Sequence, residues 1–324
     1  IDRKCHSGWV LAMNFLRNPL FPSFLVLLFL LFVPSGAEAV CTKVAGEIVF
    51  AGGANPVQEN GIAGDQCNDI PDAYLVTFNK LGVCRANPLA DAAPFGAPDF
   101  SSCQFMYDGP DLITEIRHPN LTSLSIPPFN IEAGSYGFLV AVLSNKLGMK
   151  HTATFDNNVS GTGTSSGTSC WTSGGSTTFH NEVVTTPHGT TTTGKTIECG
   201  TAAAAAPVFN FEIFTHFQGA ADSCTDFDTT GEFVNGGFSE ALFNSGGTTF
   251  ARVLTRNQGY ASNCGNAAKL AWVVSQNTPF VVTPVSRFQL EFKLTDAVSI
   301  DMDGAGGIVK MGNDPIQALL TVFE

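Results

Sequence analysis

The sequence predicts an all-β protein: two β-sandwich or jelly-roll-like domains joined by a Ser/Thr/Gly-rich segment, after a cleaved signal peptide. Three observations predict it. Period-two alternation of apolar and polar residues recurs along the chain. Thirty-three Gly and 17 Pro punctuate it. Past the leader, no amphipathic stretch of about ten residues at helical spacing occurs. With 44% apolar and 14% charged residues over 324 positions, the chain has the apolar content to build a packed core.

Residues 1–39 read as upstream residues plus a secretory signal peptide. Leu20–Val33 (LFPSFLVLLFLLFV) is an apolar run of 14 residues, shorter than the roughly 20 that a membrane-crossing helix needs. Arg17 precedes it and Ala37-Glu38-Ala39 follows as a small-x-small cleavage site. Met13 is the expected start, with Ile1–Ala12 upstream of it. A retained anchor would require a longer span. The expectation is a secreted protein, extracellular or at the cell surface, with no stable membrane span after cleavage.

Charge narrows the partners. Sixteen Lys and Arg stand against 28 Asp and Glu, a net charge of −12. Arg3, Lys4, Arg17, Asp2 and Glu38 leave with the leader, so the mature chain keeps 13 cations against 26 anions, or −13. Neutralising phosphates takes clustered cations, so nucleic acid is excluded as an expected partner. Of nine cysteines, Cys5 lies upstream and eight remain. An even number in an exported chain suggests four disulfides, although eight cysteines permit 105 pairings. Sequential pairing (Cys41 with Cys67, Cys84 with Cys103, Cys170 with Cys199, Cys224 with Cys264) would bracket one hairpin or loop each. The second and third pairs fit best on that basis. Zinc spacing is missing.

Residues 40–155 form the expected N-terminal β-domain. Ala73–Val83 alternates, with Tyr74, Val76 and Phe78 on one face and Thr77 and Asn79 on the other. After a break at Ile126–Phe129 and a turn at Glu132-Ala133-Gly134, Tyr136–Leu143 is apolar on both faces, as a central strand requires. Residues 156–206 are dominated by Gly, Ser, Thr and Ala and predict a linker, or a small hairpin stapled by Cys170 and Cys199. Residues 207–324 form the C-terminal β-domain; a single large sandwich with 156–206 as an insertion is the alternative. In Val208–Phe217 the apolar residues Phe209, Phe211, Ile213 and Phe217 alternate with Asn210, Glu212 and His216. Phe250–Thr255 and Leu270–Val274 are further strands. From Phe288 to Met302 the even positions Phe288, Leu290, Phe292, Leu294, Val298, Ile300 and Met302 are apolar. A one-residue slip would expose that whole row, so its register is expected to be firm. Asp296 interrupts the row and marks a bulge or corner.

Motifs for chemistry are sparse. Gly163–Gly167 fits G-x-S-x-G, but the nucleophile elbow needs a strand-to-helix turn and no helix follows. Two acidic loops are candidate Ca2+ sites: Asp301 and Asp303 before a Gly turn, with Asp314 nearby, and Asp222, Asp226 and Asp228 around Cys224. Calcium takes six to eight oxygens, and solvated acids in an acidic protein are the competing reading; no cofactor is the expectation. His118, His151, His180, His188 and His216 never fall four apart. Trp171, Phe179, Tyr260 and Phe280 border Gly/Asn/Thr-rich loops, where aromatic rings serve as stacking platforms; Trp171 and Tyr260 are the ligand-stacking candidates.

At Pro71–Cys84 (PDAYLVTFNKLGVC), Ser102-Cys103 and Tyr136–Gly148 (YGFLVAVLSNKLG) the chain resembles a group of uncharacterised secreted or particle-associated β-rich proteins of marine bacteria and their phages. These share an "aY-vt…k-…lC" strand and an "sC" return. The resemblance implies an extracellular or structural setting and a Cys84–Cys103 link, and carries no catalytic residues. The expected function is therefore an exported, non-enzymatic structural or adhesive protein of a surface, filament or particle, associating with itself or with other such proteins. A carbohydrate-binding module with glycan partners, and a secreted hydrolase with a carboxylate pair, are the alternatives.

Overall fold

The computed structural model describes residues 40–50, 55–58, 64, 66–89, 97–118, 124–162, 165–179, 190–204, 206–215, 232–234, 249–254, 256–257, 266–295, 297–313 and 316–324. Among these residues there are twenty strands and no α-helix. The expected leader, Asp296 and the Cys224–Cys264 pair lie outside them.

The largest sheet is built around β4 (Ala73–Cys84), with β5 (Cys103–Ile116) on one side. On the other side β6 (Gly134–Ser144) and β7 (Lys146–Lys150) run end to end. Beyond β6 lie β16 (Lys269–Val282), β15 (Thr249–Leu254) and β14 (Glu232–Val234). Beyond β7 lie β13 (Asn210–Phe214), β10 (Ser176–Phe179) and β11 (Thr190–Thr193). The sheet therefore forks at Asn145, between β6 and β7. The Asn145 backbone donates to Ala268 O at 3.2 Å and accepts from Phe214 N at 2.9 Å. Its side-chain Nδ2 donates to Phe214 O at 2.8 Å and Ala267 O at 3.4 Å. One buried amide thus ties together two diverging wings whose carbonyls would otherwise lose their ladder partners.

As the apolar run predicts, β6 is buried on both faces. Leu139 and Ala141 join Tyr74, Val76, Phe78 and Trp272 in the main core. Val140 and Val142 join Cys84, Leu89, Ala271 and Val273 in a second cluster on the opposite face. The even-numbered row of β17 (Arg287–Lys293) and β18 (Val298–Met302) also faces inward: Leu294, Val298, Ile300 and Met302 are core, and Phe292 meets Phe78 with ring centroids 5.5 Å apart.

Strands from the two ends of the chain pair directly. β16 pairs with β6, and β18 pairs with β3 (Gln66–Asp69) and β19 (Ile308–Asn313). Residues 40–155 and 207–324 consequently share two sheets, and Glu38–Glu324 is one contact unit. β20 (Gln317–Phe323) pairs with β17. The Ser/Thr/Gly-rich segment is largely strand: β8 (Thr152–Ser160) crosses its expected start, and β9 (Ser166–Thr172) and β12 (Ile197–Gly200) pair within it. Cys170 and Cys199 stand opposite each other there and are bonded. Cys41–Cys67 and Cys84–Cys103 are the other two disulfides, so three of the four sequential pairs are present among the described residues. β1 (Lys43–Val44) and β2 (Glu47–Ile48) complete the β8–β9–β12 sheet.

β13 alternates as its sequence indicates but is turned over. Amphipathic strands ordinarily send the apolar row inward. Here Asn210 and Glu212 are buried, while Phe209, Phe211 and Ile213 are half-buried on the opposite face. The inversion is stable because the polar pair is satisfied by distant backbone. Asn210 Nδ2 donates to Thr196 O at 2.6 Å and its Oδ1 accepts from Gly174 N at 3.0 Å. Glu212 Oε2 accepts from Asn313 N at 2.8 Å.

Candidate functional site

The two carboxylates of the first acidic loop have separate jobs. Asp303 Oδ1 accepts from Ala305 N at 2.7 Å and Gly307 N at 2.8 Å, closing the turn after β18. Gly304 and Gly306 in that turn have φ of 75° and 89°, the left-handed region that favours glycine. Asp301 instead faces Lys310, 4.0 Å from its Nζ. Among the described residues no group of three or more His, Cys, Asp or Glu side chains is arranged to hold a metal ion. Asp222, Asp226, Asp228, Asp314 and Tyr260 lie outside the described residues.

Two buried ionic clusters appear that local sequence does not announce. In the first, Asp69 at the end of β3 accepts from Lys43 Nζ at 2.6 Å and lies 3.4 Å from His151 Nε2. The latter is an ion-pair distance. Burial pushes the Asp69 carboxyl up, but His151 and Lys43 outweigh burial and hold it at about 2. His151 is 1% exposed, too enclosed to reach a substrate. In the second cluster, Lys310 Nζ lies 3.8 Å from Glu212 Oε1. Burial raises the Glu212 carboxyl above its ordinary value, against the pull of Lys310 and the Asn313 hydrogen bond.

The remaining candidates sort by environment. Ser165 Oγ accepts from Cys199 N at 3.1 Å between strands β8 and β9, so the G-x-S-x-G serine serves a strand connection. Phe280 packs against the main core. Trp171 is half-buried on β9 with its ring along Gly200, where a Cβ would stand 3.3 Å from the indole.

A sheet face missed by motif reading lies on β5, β4, β7, β13 and β10. Register aligns Glu115, Leu75, Gly148, Phe211 and Ser176 in one row across the five strands, about 19 Å at strand spacing. A neighbouring row holds Ile113 beside Thr77, and Lys146 beside Ile213 and Thr178. Ile113 is 67% exposed. Gly148 lets Phe211 lie against the sheet, since a Cβ there would stand 3.0 Å from both the ring and Leu75. Lys146 Nζ sits 4.0 Å from the Phe211 centroid and Lys150 Nζ 4.2 Å from that of Phe209. The two rings are 6.4 Å apart. The signal available in the sequence was the Phe-x-Phe-x-Ile alternation; its outward direction was not readable.

No family model, no curated protein and no solved structure matches this chain.

Proposed function

We propose that this chain is an exported structural or adhesive protein, a subunit or decoration of a cell surface, filament or particle. The observation that carries the reading is the stapled β body. Disulfides at sequence separations of 26, 19 and 29 residues cross-link strands or their flanks. Such bonds persist in oxidising compartments outside the cytosol. The excess of acids keeps copies soluble before assembly, and the resemblance at 71–84, 102–103 and 136–148 points the same way.

The test is material from the native source. Peptide mapping without reduction is expected to find the three linkages, and fractionation with negative-stain imaging to find the protein on a surface, filament or particle. Free thiols, or a protein recovered only as a dispersed soluble species, would overturn the proposal. A second reading, glycan binding, has one specific observation in its favour: the Phe209 and Phe211 rings are neighbours, 6.4 Å apart, although each carries a lysine ammonium. A glycan array without hits removes it.

A further inference from the structure

The geometry points to the β5–β4–β7–β13–β10 face as the surface on which a second copy of this chain docks, acidic surface against the Lys146–Lys150 patch. This rests on the structural reading above and names its contact.

The face combines Ile113, Leu75, Phe209, Phe211 and Ile213 with two ammonium groups. Ile113 is exposed and the other four are half-buried, and none is among the side chains packed into either apolar core; apolar surface left in solvent in this way marks a contact surface. Gly148 leaves room for Phe211 to lie against the sheet, and side chains lying on a sheet face can pack against another β layer. Charge selects the occupant. The face presents Lys146 and Lys150, with Glu115 and Arg117 paired to each other at its border. The mature chain has twice as many acids as cations, so another copy is a ready source of complementary acidic surface. A sugar ring would need an open aromatic face. Phe211 has one side on Gly148 and an ammonium over its ring, and Phe209 also carries one.

The same charge opposes a face-to-face pairing centred on the lysines, which would bring four of them together. The contact is therefore heterologous, and heterologous contacts propagate into rings or open filaments.

Sedimentation velocity of the full chain with disulfides intact, across a concentration series, tests this. Wild type is expected to associate, and Lys146→Glu/Lys150→Glu to weaken association at least tenfold with near-UV circular dichroism unchanged. Phe211→Ser should act in the same direction, and raised salt should weaken the wild type alone. Association that survives both variants overturns this assignment and leaves the structural reading standing. A wild type that stays monomeric at all concentrations overturns it too, and the native-source fractionation then decides the structural reading separately. A monomeric wild type that binds a carboxylated polysaccharide through Lys146 and Lys150 overturns it in favour of a glycan.

Discussion

Asn145 gives the most discriminating test of how the central sheet is held. Its Nδ2 donates two hydrogen bonds, to Phe214 O and Ala267 O, at a position 7% exposed. An intramolecular hydrogen bond nets about 1 kcal/mol, and a buried group left without a partner costs about 1–3 kcal/mol. Asn145→Ala should therefore cost about 2 kcal/mol. Asn145→Asp keeps the shape but turns carboxylate oxygens toward two carbonyl oxygens, adding an unpaired buried charge. Its loss should exceed about 3 kcal/mol at neutral pH and shrink in acid, where protonation restores one donor. Urea unfolding with disulfides intact, followed by the fluorescence of Trp272 on β16, reads both losses as shifts in midpoint. If the Asp variant is no less stable than the Ala variant at pH 7, the amide is not what joins the two wings.

Three further outcomes follow from the ionic clusters and the cross-links. Asp69 has its carboxyl lowered from 3.8 to about 2, so its contribution is full above the unfolded value and is lost as pH falls from about 4 to 2. That is about 2 kcal/mol by linkage, and acid titration of Asp69→Asn should lack this component. Glu212 has a raised carboxyl pKa, so its burial increasingly disfavours the fold as pH rises above 4.5. The melting temperature of Glu212→Gln should then fall less than that of the wild type between pH 4 and pH 7. Replacing Cys170 and Cys199 by Ala opens a 29-residue separation and should cost about 3.6 kcal/mol by the chain-entropy relation, read as a urea midpoint shift.

Much of the fold was legible where burial alone decides direction. In Phe288–Met302 an apolar row interrupted only at Asp296 leaves each strand one way to face, and Tyr136–Leu143 has no polar face to turn outward. β13 was half legible. Its alternation is local, but its direction depends on Thr196, Gly174 and Asn313, partners 14, 36 and 101 residues away. No window around Glu212 contains them. Nothing local to Asn145 announces its role before Phe214 and Ala267 converge on it. The 156–206 segment reads as a linker or small stapled hairpin because Thr, though a good strand former, and Ser carry no hydrophobic signal of their own. The site was less legible than the fold. Asp301 and Asp303 are two residues apart, yet one serves Lys310 and the other a glycine turn, a division set by the end of β18.

The placement of the disulfides governs how the chain would respond to a pull. Each closes a short stretch of neighbouring sequence: 41–67, 84–103 and 170–199. Under tension those stretches cannot be drawn out, whatever happens to the strands around them. Extension would have to come from other spans, including the C-terminal run from β16 to β20, whose pairing holds no disulfide and rests on hydrogen bonds, apolar contact and the Lys310–Asp301 pair. A strand row shared by both ends of the chain would then part first at its C-terminal members, and the three loops closed among the described residues would remain as knots that limit the reach of a stretched copy.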